Sequence, residues 1–284
     1  MPRTSTDQPA PTLVRLGGTP TLPAYVRSLW ARRGFAWQTA LGELRSQHLD
    51  TALGNLWHLL NPILMISVYF LVFGLILQVT RGVDNFLAFL AIGVFTFHFS
   101  QKSIVGAGST IVNNQGLIRS LLFPRALLPV ATVVREAMAY VSAAVVMIAL
   151  VVITGEPITP AWLLVLVAFA LQVVFNLGGA LIAARLVDRY RDMLNVLPFV
   201  FRLAFYLSGV LYAFEAYVDD PRLLRLLPLN PFYTFLTLPR EYLLTGQQHP
   251  HIGEVWLAAV LWAGLLALGG LVFFRAGEKE YGRG

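Results

Sequence analysis

Cysteine is absent from the 284 residues, which excludes disulfides and thiolate metal sites and leaves the redox compartment open. Histidine is scarce: the five residues are scattered, with no HxxxH pair to hold a metal from one helical face. No GxxxxGK[ST], GxSxG or HExxH pattern occurs, so the chain offers no phosphate-cradling loop of its own and none of the common hydrolytic devices. Any uphill work it performs must draw on a partner. Charge is sparse as well: 13% of residues are charged, against roughly a quarter in ordinary soluble domains.

Hydrocarbon is what the chain has in abundance. Apolar residues make up 57%, and the mean hydropathy is +0.66. They come in uninterrupted blocks close to the 20 or so residues that cross roughly 30 Å of bilayer core. An all-α, multi-pass membrane protein follows. Runs uncharged over 63–79, 85–101, 137–153, 161–184 and 255–274, and over 193–214 but for Arg202, place six spans at about 62–79, 85–105, 126–153, 161–185, 193–214 and 254–275. Six spans put both termini on one side, and 17 of the 21 basic residues fall on that side. Arg81, Arg222, Arg225 and Arg240 fall on the other. The positive-inside rule makes the terminal side cytoplasmic and the membrane the cell's inner, cytoplasmic one. A pI of about 9.8 is then explained by topology and anionic lipid, so no nucleic-acid partner is expected. Residues 1–24 hold five prolines and lack a signal-peptide core, which predicts a disordered, uncleaved cytoplasmic tail before a single transmembrane domain over 25–284.

The segments between spans carry the finer expectations. Over 25–50, Trp30, Trp37, Leu41 and Leu44 share one helical face, as in a helix lying in the membrane interface. In "LGNLWHLLNPILMISVYFLVFGLIL" the polar residues Asn55, His58 and Asn61 stop at Pro62. Either Pro62 occupies the first turn of the span with Asn61 as its cap, or the span starts near Leu53 and tolerates a proline kink. Between spans two and three, "NNQGLIRSLLFPRALLPV" predicts a short helix over 113–124, begun by Asn113, Asn114 and Gly116 and ended by Pro124. Leu117, Ile118, Leu121 and Leu122 form its apolar face, which either rests on lipid or, with Arg119 and Arg125, offers a grip to a peripheral subunit. Asp188, Arg189, Arg191 and Asp192 read as a salt-bridged cytoplasmic hinge or as solvated helix ends. Residues 216–248 are too greasy for a loop and too broken by Pro228, Pro231 and Pro239 for a span. Two short re-entrant helices, or a lateral cap, fit them.

Three further groups bear on chemistry. The acids Glu215, Asp219, Asp220 and Glu241 could form a carboxylate pair for sugar hydrolysis, but Asp219-Asp220-Pro221 reads as a turn and helix cap. Aromatics form 12% of the chain, and Phe73, Phe95, Phe99, Phe205, Tyr206 and Tyr212 either line a glycan path or simply pack helices. Lys102, Arg135, Glu136 and Arg202 at span margins either mark a pathway or snorkel to the surface.

The order of an interfacial helix, "LGNLWHLLNP", "LIRSLLFPRALLPV", "RYRDMLNVLPFVFRLAFYLSGVLY" and "LPLNPFYTFLTLPREYLL" resembles the transmembrane subunit of ABC-2 type polysaccharide exporters. That family includes permeases for O-antigen, teichoic acid and capsular glycans. The resemblance covers the chain from about residue 25, and within the family it is most similar to the galactan-exporting members of actinobacteria. It implies a homodimer paired with two copies of a separate ATP-binding cassette subunit, which would hold ATP and Mg; no cofactor, metal or catalytic residue is then expected in this chain. The 113–124 helix would be the coupling helix, touching the ATPase through Asn114, Leu117, Ile118, Arg119, Phe123 and Arg125. Residues 223–244 would be paired gate helices, and the substrate a polyprenyl diphosphate-linked polysaccharide. Charge and position suggest Arg27, Arg32 and Arg33 for the lipid diphosphate. The competing readings are an ABC-2 exporter of a drug or small lipid, a membrane-embedded glycosyl- or acyltransferase, and a purely structural membrane protein.

Overall fold

The structure, a computed structural model, describes residues 21–46, 53–120, 123–218, 220–278 and 281. Residues 1–20, most of the expected tail, lie outside it, as do Leu121, Leu122 and Asp219. Among the described residues every regular element is helical. The short helices α1 (Leu22–Ala31) and α2 (Arg33–Ser46) precede α3 (Trp57–Tyr69), which runs on through a π-helical stretch, Phe70–Ile76. Then come α4 (Phe86–Gly108), α5 (Thr110–Asn113), α6 (Gln115–Ser120), α7 (Leu127–Ile153) and α8 (Leu163–Arg189). The last four are α9 (Met193–Leu207), α10 (Pro221–Leu226), α11 (Pro231–Leu243) and α12 (Ile252–Ala276).

Among the described residues five helices, α3 with its π extension, α4, α7, α8 and α12, are long and apolar enough to cross a bilayer. The sequence predicts a sixth at 193–214, but α9 stops at Leu207 after 15 residues, about 22 Å of rise. The chain leaves the helix because Gly209 takes φ +67°, a left-handed conformation open to glycine without steric cost.

Two other expected boundaries shift. The interfacial helix is broken at Arg32 because its halves pack on different partners. Tyr25 of α1 is buried in a cluster with Phe274 and Tyr281, whereas Ala36 of α2 is buried with Leu127 and Ala131 of α7. Trp30 and Trp37 remain exposed, as their face predicts. Pro62 lies inside α3 rather than in its first turn, so the longer, proline-containing span is the reading that holds. Only five residues precede it, so the ladder bond it forfeits lies near the helix end, where few bonds depend on it.

At the centre stands α4. Phe97 packs on Phe201, Phe205 and Phe232 at ring-centroid distances of 6.2, 5.2 and 5.2 Å, joining α4 to α9 and α11. Gln172 of α8, 3% exposed, donates to the Thr96 carbonyl and to Ser100 Oγ, both at 2.9 Å. The backbones of α8 and α12 touch at Gly178 and Gly270, where a Cβ on either would stand 2.1–2.3 Å from the facing chain. Small residues permit that approach, as at many helix pairs in lipid.

Candidate functional site

The end of the bundle that carries α1, α2, α5 and α6 is the basic end. There the C-terminal residues tie the N-terminal helix to the segment before α7. Glu278 Oε1 accepts from Tyr25 Oη at 3.0 Å and from the Arg125 backbone N–H at 3.2 Å, and the Glu278 carbonyl accepts from the Arg125 guanidinium. Burial, then the Glu278 carboxylate beside it, push the Tyr25 hydroxyl above its ordinary range, so it stays a donor.

The residues assigned to the ATPase contact do come together here, but they face different ways. The expected 113–124 helix is split at Asn114 into α5 and α6, and the Asn114 amide donates to its own helix at Thr110 O, 2.9 Å away. Ile118 is buried, Leu117 half-buried, and Phe123 packs on Phe35 at 5.4 Å. Arg125 is turned to Glu278, so Arg119 is the exposed cation of the set.

The hinge residues are looser. Arg189 Nε donates to Tyr190 Oη at 3.2 Å, while Arg191 and Asp192 are exposed and form no ion pair among the described residues. Arg191 and Asp192 are thus solvated helix-end residues in one protomer. Arg27, Arg32 and Arg33 are exposed on α1 and α2 and at their junction. Arg33 stacks over Trp30 at 5.0 Å, and apolar grooves of about 580 and 520 Å³ flank that tryptophan.

Beside α3 at the same end lies a cleft of about 350 Å³, walled by α3, α4 and α7. His58 and Asn61 reach it from α3, His98 and Lys102 from α4, and Glu136 from α7. Arg135 donates to Glu136 Oε1 at 3.1 and 2.8 Å and also to Glu43 on α2, so two of the span-margin charges, Arg135 and Glu136, form a bridged triad with Glu43. Arg202, by contrast, is exposed on α9.

At the opposite end, side chains from the α10–α11 hairpin collect the carbonyls that the break after α9 sets free. Asn230, which caps α11 by accepting from Phe232 N at 3.0 Å, donates to Leu207 O and Ser208 Oγ at 3.0 Å each. Arg240 donates to Gly209 O at 2.8 Å, Val210 O at 2.9 Å and Phe89 O at 3.3 Å, and lies over the Phe89 ring at 3.4 Å. Sequence reasoning placed Arg240 with the exterior basic residues; it is 6% exposed. A lone arginine beside Pro239 in an apolar stretch was the available signal.

The acids at this end are structural too. Glu215 accepts from Tyr233 Oη at 2.8 Å, and Asp220 caps α10 by accepting from Arg222 N at 2.8 Å, as its sequence context predicts. Glu156 accepts from Asn85 Nδ2 and from the Thr245 N–H and hydroxyl, all at 2.9 Å, joining three loops. Its burial favours the neutral acid, but the Thr245 and Asn85 donors outweigh that and hold the carboxyl below the usual glutamate range. Of the aromatics considered for a glycan path, Phe95, Phe99 and Phe205 are 2%, 3% and 7% exposed and pack within the protomer, while Phe95 and Phe99 also line the cleft beside α3. Phe73 and Tyr212 are half-buried, and Tyr206 is exposed.

Comparison with known proteins agrees with this architecture. The chain is 28% identical over 214 residues to the O-antigen export system permease protein RfbA of Myxococcus xanthus, covering 75% of this chain and 81% of that one. It is 25% identical over 205 residues to the RfbA permease of Klebsiella pneumoniae, covering 72% and 78%. It is 26% identical over 264 residues to the polysialic acid transport protein KpsM of Escherichia coli, covering 88% and 98%. The profile of ABC-2 type transporters matches residues 40–244, well over half of the sequence. With its helical bundle and the short α10 and α11 included in that match, the chain belongs to the ABC-2 type transporter family.

Proposed function

We propose that this chain is the permease subunit of an ATP-driven exporter that moves a polyprenyl diphosphate-linked polysaccharide, O-antigen-like or galactan-like, across the cytoplasmic membrane. The observation that carries this reading is its similarity, over most of both chains, to permeases named for O-antigen and polysialic acid export. The chain works as a homodimer with two ATP-binding cassette subunits, which hold ATP and Mg, and both termini face the cytoplasm. Apolar side chains that α9 leaves uncovered in one protomer, such as Phe199 and Leu203, support a second copy. Closure of the ATPases pushes on α6 through Arg119, and the tightly packed basic end passes the push to α7 and α12 as a rigid-body shift. The α10–α11 hairpin dips into the outer leaflet and parts to let the glycan leave. Arg27, Arg32 and Arg33 gather the lipid diphosphate at the inner surface, with lipid chains in the grooves beside Trp30.

Co-expression with a candidate ATP-binding cassette subunit from the same genome, followed by reconstitution in vesicles, tests the reading. ATP-dependent loss of lipid-linked glycan from the ATPase-facing leaflet is expected, and Arg119→Glu should cut co-purification of the ATPase at least about tenfold. Transport that proceeds without any ATPase overturns it.

A further inference from the structure

The polar residues of "LGNLWHLLNP" are given no task by transport coupling alone. His58 and Asn61 do not cap α3, because the helix runs through both. Trp57, His58 and Asn61 instead fall within about 100° of the helix circumference, one stripe turned to the cleft shared with α4 and α7. Its volume of about 350 Å³ is within the roughly 300–1,000 Å³ of small-molecule sites.

We propose that this cleft binds the head of a lipid-linked glycan, namely the sugar nearest the lipid together with its phosphate. The inference rests on the exporter reading and locates one contact of its substrate. A sugar hydroxyl both donates and accepts, and the cleft offers both kinds of partner. Asn61 brings an amide that makes no hydrogen bond among the described residues. His98 Nδ1 faces the Val94 carbonyl at 2.8 Å, so Nδ1 carries the proton and Nε2 is left as an acceptor. Glu136 engages Arg135 through Oε1, which leaves Oε2 as another acceptor. Trp57 supplies a ring face for the C–H side of a sugar.

Charge defines the rest of the ligand. The triad in which Arg135 bridges Glu43 and Glu136 carries one net negative charge, and Lys102 adds one positive. The cleft is thus near neutral, which disfavours a bare polyanion and suits a hydroxyl-rich head with a single charged group. Lys102 has no ion-pair partner among the described residues and stands ready for a phosphate. A hydrocarbon tail in the cleft would leave these polar groups unpaired, at a cost that a sugar avoids. The tail has a path outward instead, because Leu64, Val68 and Leu71 on the rest of α3 are exposed.

The test uses the full chain in nanodiscs of neutral phospholipid, with fluorescent decaprenyl diphosphate disaccharide as probe. Unlabelled decaprenyl phosphate and free disaccharide serve as competitors. Asn61→Leu and Lys102→Gln should each weaken probe binding about tenfold. Both side chains are exposed, so neither change removes core packing, and unaltered thermal midpoints will verify this. Ile63→Ala, exposed on the opposite face of α3, should leave binding unchanged. Both competitors should be at least about tenfold poorer than unlabelled decaprenyl diphosphate disaccharide. Unchanged affinity in both variants, or equal competition by decaprenyl phosphate, overturns the proposal. A wild-type complex that still exports glycan in that case confines the failure to the cleft, whereas absence of ATP-driven export removes the exporter reading itself.

Discussion

Two helices of spanning length, α3 and α4, are treated in opposite ways by the fold. The spanning window of α3 is 6% buried within the protomer, that of α4 78%, although α3 is the more apolar by composition. In water the greasier helix would be the buried one. In a bilayer, lipid already satisfies Leu and Ile, and helices associate through close packing and hydrogen bonds instead. Helix α4 qualifies through Thr96 and Ser100, which meet Tyr140 and Gln172, and through Gly93, which lets Arg240 approach. Helix α3 presents Leu64, Val68, Leu71 and Leu75 outward and keeps its polar stripe for the cleft.

Substitutions can break or sharpen that contrast. The largest effect is expected from Phe97→Ala in α4, whose ring touches three others; the loss of folding free energy should be about 3–4 kcal/mol, against within about 0.5 kcal/mol for Leu71→Ala in α3. Thermal or denaturant unfolding of the protein in detergent measures both, and equal losses would break the comparison.

Next comes the anchorage of α4 to the broken end of α9. Arg240→Leu strands the carbonyls of Phe89, Gly209 and Val210 and should cost about 2–3 kcal/mol. Gly93→Ala drives a methyl to 2.3 Å from the Arg240 guanidinium and should cost about 1–3 kcal/mol. If the two losses add fully in the double variant, Arg240 and Gly93 are not coupled as the geometry requires.

The smallest effect concerns the loop joint before α4. Glu156 has a lowered folded pKa, so its contribution is complete above the ordinary glutamate value of about 4.3 and is lost as pH falls through the folded value. Glu156→Gln should flatten the acid limb of the unfolding midpoint and cost under about 1 kcal/mol at neutral pH. An unchanged acid limb would remove Glu156 from this role.

Legibility in the sequence follows the same physics. The spanning blocks, the Asp220 cap and the pair of short helices within 216–248 could be read because hydropathy, capping and proline are local signals. The break at Arg32 and the end of α9 at Leu207 could not, because each depends on which distant partner is available. Phe95, Phe99 and Phe205 show the same difficulty in the candidate site: a ring facing a glycan, a lipid or another helix is the same residue in sequence. Arg119 was legible as a surface cation; Arg125, six residues on, was not distinguishable until Glu278 was seen beside it.

By itself the amino-acid order determined that this chain must live in lipid and cross it as helices, since both follow from composition and from the length of its apolar runs. Tertiary structure alone decided that Arg240 is a buried clamp, that α9 ends at Leu207 and that His58 and Asn61 face a cleft. Those outcomes turn on hydrogen-bond partners 30 to 151 residues away or on neighbouring helices, where local propensity has no reach.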